Sequence, residues 1–469
     1  MKGDNYVFGM IGLGTMGRNL LLNMADHGFK VAGHDKDESK IALLGNESQK
    51  ANVKGFHSVA EFIESLQKPR AIMMLVPAGK IVDTVIEELV PLLDAGDLII
   101  DGGNSHFTDT NRRVAGLKEK GLHFFGMGIS GGEEGARKGP SMMPGGDPEA
   151  YRVVQPIFES VAAKVNGEPC VTYIGPGASG HFVKMVHNGI EYGLMQLIAE
   201  AYEMMKKGLG LPDEKIQDTF RQWNKGRLQS FLIEITSDIF AFKESGHLLL
   251  NDIKDEARSK GTGKWTSQVA MDLQVPLSVI DTAVSMRDLS RYKALRVKAA
   301  TLYPNEGNKV TQAPDEFIKS LEAALYFSTI ISYSQGMHLL SQASAEYQYN
   351  LNLDRIAQIW RGGCIIRSAF LGDIYQAFKN DAKLPHLLLD KDIQKKISSL
   401  IPATRLVLSS AIQSGIALPA LISSLSYFDS FRSDRMPSNL IQAQRDYFGA
   451  HTYERIGKEG VFHTQWFAK

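Results

Sequence analysis

Cysteines and long apolar runs are both scarce in this chain of 469 residues. Its two cysteines, Cys170 and Cys364, are far apart in the sequence. This excludes a disulfide framework and favours a reducing compartment, so a cytoplasmic protein is expected. No apolar run approaches the roughly 18 residues that a membrane-spanning helix needs. Residues 1–5 lead only into a short apolar run, so we expect neither a secretory signal nor a membrane partner.

A surplus of charge of one sign is also missing, because Lys plus Arg and Asp plus Glu both number 52. This balance argues against a nucleic-acid partner and against an anionic membrane, although it leaves room for a local basic pocket. Hydrophobic residues make up 43% of the chain, which is ordinary for a globular protein. At about 150 residues per domain, the length predicts two or three domains.

Glycine is concentrated in the first part of the chain, where residues 1–180 hold well over half of the 44 glycines. Glycine accumulates where the backbone turns tightly or approaches a ligand, so this part is expected to bind ligands through its backbone. In the same part, short apolar runs alternate with amphipathic helical patterns. Strands are predicted at residues 6–11, 30–34, 71–76, 98–100 and 123–126, and helices at residues 16–27, 80–93 and 108–120.

This alternation predicts a Rossmann-type α/β domain with a parallel sheet, whose ligand crevice lies at the carboxyl ends of the strands. Beyond the glycine-rich residues 175–180, long helical periods replace the alternation. We therefore predict a dinucleotide-binding domain at residues 1–177, a large all-α domain at residues 178–433 and a short C-terminal tail at residues 434–469. The tail is rich in charged and aromatic residues, and such tails usually pack against another surface.

The first glycine-rich loop follows the first predicted strand and opens the first predicted helix. It comprises Gly12, Leu13, Gly14, Thr15, Met16 and Gly17. In this context the three glycines allow a tight turn, a close approach of the backbone to a pyrophosphate and close packing of the helix on the strand. The loop therefore predicts a dinucleotide cofactor, with a purely structural turn as the alternative.

Asp35 follows the second predicted strand and bears on the choice of cofactor. A carboxylate at this place bonds both hydroxyls of the adenosine ribose and repels a 2′-phosphate, which favours NAD. The next residue, Lys36, could instead meet the 2′-phosphate of NADP. A structural alternative is that Asp35 only caps the following turn.

Residues 181–192 form a mostly apolar helical pattern that carries one polar stripe. Lys184, His187, Asn188 and Glu191 recur at helical spacing and share one face. A buried Lys tends to lose its proton and can act as a base, and a Glu in the same cleft can have a raised pKa and act as an acid. The alternatives are a satisfied buried polar network and a solvated helix face.

Two further glycine-rich loops follow the fourth and fifth predicted strands, at residues 101–105 and 130–137. Both lie on the side of the sheet where the crevice is expected. Consecutive glycines there expose backbone N–H groups, which form a natural cradle for a carboxylate. A simple turn is the structural alternative for either loop.

These motifs together resemble the 6-phosphogluconate dehydrogenase (decarboxylating) family over essentially the full length of the chain. The matching segments are residues 12–19, 101–105, 130–138, 181–200, 260–265 and 439–452. The broader β-hydroxyacid dehydrogenases share the first loop, a Ser-Gly-Gly loop and a Lys on a helix. They lack the long helical domain and the tail.

The resemblance implies oxidative decarboxylation of 6-phosphogluconate to ribulose 5-phosphate and CO2, in the pentose phosphate pathway. It implies that Lys184 takes the proton from the C3 hydroxyl while hydride leaves C3 for NAD or NADP. The 3-keto acid then loses CO2, and Glu191 protonates C1 of the resulting enediol. A protonated Lys can polarise the keto oxygen, so this chemistry requires no metal.

The resemblance also assigns binding residues. It places around the substrate Asn104, Ser130, Gly131, Gly132, His187 and Asn188. It places around the substrate phosphate Tyr192, Lys260, Arg287, Arg445 and His451. It extends the cofactor site to Asp35, Lys36, Asp37, Pro77, Ala78, Gly79 and Asn104. Because family members are homodimers whose tails reach into the partner, Arg445 and His451 are expected to complete the partner's site.

The chain departs from the family pattern at the cofactor site. Members that use NADP usually have Asn-Arg-Ser or Asn-Arg-Thr in place of Asp35, Lys36 and Asp37, and often Lys in place of Pro77; Gly14 stands where Ala is common. These changes predict an enzyme that prefers NAD or uses both cofactors. Two other functions stay open, namely a dehydrogenase of an unphosphorylated β-hydroxy acid and a non-catalytic dinucleotide-binding protein.

Overall fold

The structure, a computed structural model, describes residues 5–48, 52–305 and 310–467. Its first part is built on a seven-stranded sheet. The strands are β1 Phe8–Ile11, β2 Val31–His34, β3 Val53–Phe56, β4 Ala71–Met74, β5 Leu98–Asp101, β6 His123–Ser130 and β7 Ser141–Gly145. They lie in the order β3-β2-β1-β4-β5-β6-β7, with every neighbouring pair parallel except β6 and β7. The sheet confirms the predicted Rossmann-type α/β class.

Seven helices accompany this sheet. They are α1 Thr15–Asp26, α2 Glu38–Glu47, α3 Val59–Glu64, α4 Lys80–Leu89, α5 Phe107–Lys118, α6 Gly132–Lys138 and α7 Pro148–Val161. Successive strand residues point to opposite faces, so Ile99 and Ile100 enter two different apolar clusters. Both faces of the sheet are therefore covered, which explains why its strands are continuous apolar runs.

All five predicted strands exist, but two of the seven described strands of this sheet and four of the seven helices beside it were not predicted. In β3 only Phe56 is buried, so the strand has almost no apolar pattern. In β7 the sequence contains Pro144, which is unusual within a sheet, and the strand runs antiparallel beside β6. The strand predicted at residues 123–126 was too short, because β6 continues through four further buried residues to Ser130. Glycines interrupt the apolar pattern of this strand.

The second part of the chain is helical. Its helices are α8 Ser179–Glu203, α9 Asp213–Trp223, α10 Phe231–Ala241, α11 Thr262–Asp272, α12 Ser278–Ser290, α13 Lys293–Leu302, α14 Pro314–Glu346, α15 Leu353–Trp360, α16 Phe370–Asn380, α17 Lys391–Gln413 and α18 Pro419–Phe431. Shorter elements are the 3-10 turns Val90–Leu92, Leu249–Asn251 and Leu387–Leu389, the π turn Met204–Gly208, and the hairpins β8 Lys164–Val165 with β9 Glu168–Pro169 and β10 Lys243–Glu244 with β11 His247–Leu248.

The centre of the helical part is α14, which is buried on most of its circumference and packs against α8 and α17. A helix that is apolar on all sides belongs in the interior of a large core. Within the described residues, no helix is long and apolar enough to cross a membrane.

Helix α8 lies directly on strands β6 and β7. A Cβ added at Gly126 would collide with the ring of His181, and one added at Gly128 would collide with the side chain of Lys184. In the same way, a Cβ at Gly145 would collide with the backbone of Gly180. Glycine at these places lets the helix approach the sheet closely and fixes the height of the polar stripe above it.

The chain ends in α19 Ser438–Gly449 and the hairpin of β12 Tyr453–Arg455 with β13 Lys458–Phe462. The buried carboxylate of Asp446 holds these elements together, because it accepts hydrogen bonds from the backbone N–H of Thr452 and Thr464 and from the indole of Trp466. By contrast, apolar side chains of the same segment such as Leu440 and Phe448 are exposed.

Candidate active site

The first glycine-rich loop joins β1 to α1. Two of its glycines leave no room for a side chain, and the third faces open space. Gly12 has φ +92°, and a Cβ there would lie 2.5 Å from the carbonyl oxygen of Leu75. A Cβ at Gly17 would overlap the carbonyl of Gly12. A Cβ at Gly14 would meet no atom within 4 Å, so the second glycine faces open space where a pyrophosphate can approach the backbone and the start of α1.

A cavity of about 540 Å³ lies beside this loop. The site residues predicted from the sequence that line it are Gly12, Gly14, Asp35, Lys36 and Pro77. Of the others, Leu13, Thr15 and Met16 belong to the same loop and first turn, Asp37 is the N-cap of α2, and Ala78 and Gly79 lead into α4. The loop and the cavity together fit a dinucleotide.

Asp35 is almost enclosed, with 11% of its side chain exposed. Its Oδ2 accepts a hydrogen bond of 2.7 Å from the backbone N–H of Leu13, and its Oδ1 accepts one of 2.9 Å from that of Asp37. The carboxylate thus caps the following turn, as the structural alternative for Asp35 predicted. It also binds the backbone of the glycine-rich loop. Lys40, which the sequence did not single out, lies 3.5 Å from Oδ2.

The polar stripe of α8 forms one cluster with the end of β6. The amine of Lys184 lies 3.4 Å from Nδ1 of His187, and that nitrogen lies 3.1 Å from Oδ1 of Asn188. On its other side, Nε2 of His187 lies 3.2 Å from the hydroxyl of Ser130. Oε2 of Glu191 is 4.0 Å from Nδ1 of His187. The stripe is therefore a buried network that opens to solvent only towards Glu191, which is 22% exposed.

Burial moves the pKa values of this cluster in opposite directions. It lowers the pKa of Lys184, although the neighbouring Glu191 acts the other way. It raises the pKa of Glu191 against the opposing effects of Lys184 and Arg287. It also takes the pKa of His187 well below its usual value. Each shift favours the uncharged form of the group, which is the direction that a base and an acid on one helix face require.

The Ser-Gly-Gly loop is shaped by a segment that the sequence analysis did not single out. Gly131 has φ +117°, and a Cβ there would lie 2.7 Å from the carbonyl oxygen of Gly363. The hydroxyl of Ser130 accepts a hydrogen bond of 3.3 Å from the backbone N–H of Ile365. Gly132, with φ +62°, opens α6. The two consecutive glycines at residues 362–363 were the only sign in the sequence that the backbone approaches another segment closely here.

The loop after β5 is organised by Asp101. Its buried carboxylate accepts hydrogen bonds of 3.0 Å from the backbone N–H of Gly103 and 2.6 Å from the hydroxyl of Ser105. Arg113 lies 3.4 Å from the same carboxylate. This arrangement leaves Asn104 exposed at the carboxyl edge of the sheet, where the crevice was expected.

A second cavity, of about 440 Å³, is lined by Tyr192, which follows Glu191 in α8, and by Arg287. The guanidinium carbon of Arg287 lies 3.6 Å from the centre of the Tyr192 ring, which is a cation–π arrangement. Lys264 and Arg291 line the same cavity, and the exposed Lys260 lies in the loop at its rim.

Lys264 and Arg291 were not predicted as site residues, although the sequence contains signals for both. Lys264 belongs to the same segment as Lys260, and Arg291 follows Arg287 at helical spacing. Among the residues that the structure describes, the cavity is therefore lined by three cations, Lys264, Arg287 and Arg291, and by one carboxylate, Asp288, which lies 3.8 Å from Arg291. The excess of positive charge suits a phosphate group.

Arg445 and His451 lie elsewhere. Both are exposed on the C-terminal segment, and Nη1 of Arg445 donates a hydrogen bond of 3.0 Å to Gln442 of its own helix. Within the described part of the chain, neither is among the residues that line the cavity of Tyr192 and Arg287. One copy of the chain thus brings together the predicted site residues of the sheet and helices, but not those of the tail.

Known proteins match both parts of the chain. Residues 7–175 match the NAD binding domain of 6-phosphogluconate dehydrogenase, and residues 180–466 match the C-terminal domain of 6-phosphogluconate dehydrogenase. The chain is 50% identical over 461 residues to a Bacillus subtilis protein named 6-phosphogluconate dehydrogenase, NADP(+)-dependent, decarboxylating, with 98% of each chain covered.

Two further similarities agree with this match. A Lactococcus lactis subsp. lactis protein named 6-phosphogluconate dehydrogenase, decarboxylating, is 50% identical over 469 residues, which cover 98% of this chain and 99% of that one. The solved structure of Plasmodium falciparum 6-phosphogluconate dehydrogenase has a TM-score of 0.95 and 44% identity, and it covers 98% of this chain and 100% of that chain. The chain therefore belongs to the 6-phosphogluconate dehydrogenase family.

Proposed function

We propose that this chain catalyses the oxidative decarboxylation of 6-phospho-D-gluconate to D-ribulose 5-phosphate and CO2 with reduction of NAD(P). This is a step of the oxidative branch of the pentose phosphate pathway, which we place in the cytoplasm. The observation that carries the proposal is the pairing of Lys184 and Glu191 on one helix face, with pKa values shifted in opposite directions. The names of the Bacillus subtilis and Lactococcus lactis relatives support the same reaction.

Lys184 is the base of the first step. Because burial favours its neutral form, the amine can take the proton of the C3 hydroxyl. The bound dinucleotide supplies the acceptor for the hydride that leaves C3. Lys184 then carries a positive charge next to the new C3 keto oxygen, and this charge stabilises the electrons that the departing CO2 leaves behind.

Glu191 is the acid of the last step. Its raised pKa favours the protonated carboxyl, which can donate its proton to C1 of the enediol. His187, Asn188 and Ser130 already form one network around Lys184, so they can hold the substrate hydroxyls without reorganisation. The backbone of Gly131 and Gly132 and the side chain of Asn104 complete this set at the sheet edge.

The phosphate of the substrate is assigned to the cavity of Tyr192, Arg287 and the adjoining Lys260. Its cationic lining favours a phosphorylated acid over the unphosphorylated alternative. We assign Arg445 and His451 to the same site of a partner subunit in a homodimer. The exposed apolar side chains of the tail support this assignment, because such surfaces commonly form interfaces. We keep the domain boundaries at residues 177 and 433. They separate the domain that contains the sheet, the helical domain, and the tail that we propose to reach into the partner subunit.

For the cofactor we propose a preference for NAD or the use of both dinucleotides. The open space at Gly14 and the cavity beside it fit either molecule. Asp35 lies in the cavity wall with both oxygens directed by backbone N–H groups. A fixed carboxylate there accepts ribose hydroxyls and repels a 2′-phosphate.

One assay tests these points together. Purified protein is incubated with 6-phosphogluconate and each dinucleotide in turn, and both cofactor reduction and CO2 release are followed. We expect both products, with kcat/KM for NADP less than about tenfold above that for NAD, a difference of about 1.4 kcal/mol. A larger NADP preference contradicts the cofactor proposal. Reduction with an unphosphorylated acid alone, or no reduction by folded protein, contradicts the reaction.

A further inference from the structure

Lys36 and Glu88 meet across the mouth of the nucleotide cavity. Lys36 follows β2, and Glu88 lies in the last turn of α4. Both line the cavity together with Asp35, and the amine of Lys36 is 2.5 Å from Oε1 of Glu88. The one lysine that directly follows the specificity-bearing Asp35 is thus already bound to a carboxylate.

Helix stability does not account for Glu88. The C-terminal end of a helix carries partial negative charge, so a carboxylate in the last turn of α4 is slightly unfavourable there. The ion pair with Lys36 offsets this effect, but it forms only because the fold brings the end of α4 next to the residues that follow β2. Of the two carboxylates in this turn, Glu88 lines the cavity and Glu87 does not.

The other cation of this wall is engaged in the same way. The amine of Lys40 lies 3.5 Å from Oδ2 of Asp35 and 4.0 Å from Oδ2 of Asp37. Each lysine at this end of the cavity thus faces a carboxylate. A 2′-phosphate would have to separate one of these pairs, whereas a 2′-hydroxyl needs no cation and leaves both intact.

We propose that Glu88 is a specificity-determining residue that holds Lys36 away from the 2′-phosphate position and so favours NAD over NADP. The inference rests on the proposed function and concerns the same cofactor site. The pair is solvent-exposed, with 69% and 39% of the two side chains accessible, and exposed ion pairs have modest strengths. Releasing Lys36 is accordingly expected to change affinity by less than an order of magnitude.

The test is equilibrium binding without 6-phosphogluconate, measured by calorimetric titration of NAD and of NADP at one low ionic strength. In Glu88→Gln, we expect the Kd for NADP to fall by about three- to tenfold and the Kd for NAD to stay within about twofold. The matched control is Glu87→Gln, because Glu87 is exposed and lies outside the set of described residues that line the cavity. This control should change neither Kd.

A second pair of variants shows whether Lys36 carries the effect. In a Lys36→Ala background, adding Glu88→Gln should leave the NADP to NAD ratio of Kd values within about twofold. The proposal is overturned if Glu88→Gln does not alter that ratio, or if it alters the ratio equally without Lys36. Binding of dinucleotide without 6-phosphogluconate-dependent reduction defeats the proposed function but not this inference. Wild-type protein that binds neither dinucleotide defeats both.

Discussion

Gly128 of β6 and Lys184 of α8 are in such close contact that a single methyl group on the glycine would overlap the lysine side chain. The α-carbon of one strand residue thus sets the position of the proposed catalytic base. Protein interiors are packed too tightly to absorb such an overlap without displacement.

We therefore predict that Gly128→Ala lowers kcat for 6-phosphogluconate oxidation by at least about tenfold, because Lys184 must leave its place beside His187. Steady-state kinetics and thermal unfolding should be measured on the same preparations. Gly116→Ala is the control, since Gly116 is an exposed glycine of α5 with nothing within 4 Å of an added Cβ. The prediction is wrong if kcat is unchanged, or if both variants lose activity alike.

The pH dependence of kcat/KM should be bell-shaped. Below the lowered pKa of Lys184 the amine is protonated and cannot act as a base, so the rate falls towards acid. Above the raised pKa of Glu191 the carboxyl is ionised and cannot donate a proton, so the rate falls towards alkali. Glu191→Gln should lose about 10²- to 10⁴-fold in rate and should also lose the alkaline limb. An alkaline limb that persists in Glu191→Gln assigns it to another group.

Lys184→Arg tests the requirement for a neutral amine. Arg keeps the positive charge but remains protonated at every accessible pH, so we expect at least about 10²-fold loss of kcat at all pH values. Substantial activity in this variant would show that the position supplies positive charge and not proton transfer. Unaltered dinucleotide binding serves as the check that the fold is intact.

The shared active site can be tested by subunit complementation. Lys184→Ala and Arg445→Ala should each be nearly inactive alone. In a mixed dimer, one of the two sites combines an intact Lys184 with an intact Arg445 of the other chain. Random exchange should then restore about a quarter of the wild-type activity. No recovery after verified exchange of subunits would mean that Arg445 serves the site of its own chain.

The sequence was sufficient for the parallel sheet, the glycine loop and the polar stripe, because each follows from a local period or a short motif. It was insufficient for β3, in which only Phe56 is buried, and for β7, which contains Pro144. It was also insufficient for Gly363, which lies against Gly131 only after the chain has folded. The contact of Lys36 with Glu88 is of the same kind. Two exposed charges on separate elements leave no periodic signal, and only the topology of the sheet brings them together.

Glu200 joins α8 to α18 through a buried carboxylate. Its Oε1 and Oε2 accept hydrogen bonds of 2.8 and 2.9 Å from the backbone N–H groups of Ala420 and Leu421, at the start of α18. Burial nevertheless raises its pKa to about 7, although these bonds and one from Gln196 act in the opposite direction. The folded protein therefore binds a proton here more readily than the unfolded chain, whose Glu residues titrate near about 4.3.

This difference fixes the sign of a pH effect on stability. Between about pH 4.3 and 7 Glu200 holds more of a proton in the folded state than in the unfolded state, so its contribution to the free energy of unfolding falls as the pH rises through this window. The expected fall is on the order of 3 kcal/mol, and it should be absent in Glu200→Gln, which does not ionise. Urea unfolding at several pH values and one protein concentration measures it. Glu203→Gln, on the same helix and paired with Lys207, is the control, and parallel curves for wild type and Glu200→Gln would refute the prediction.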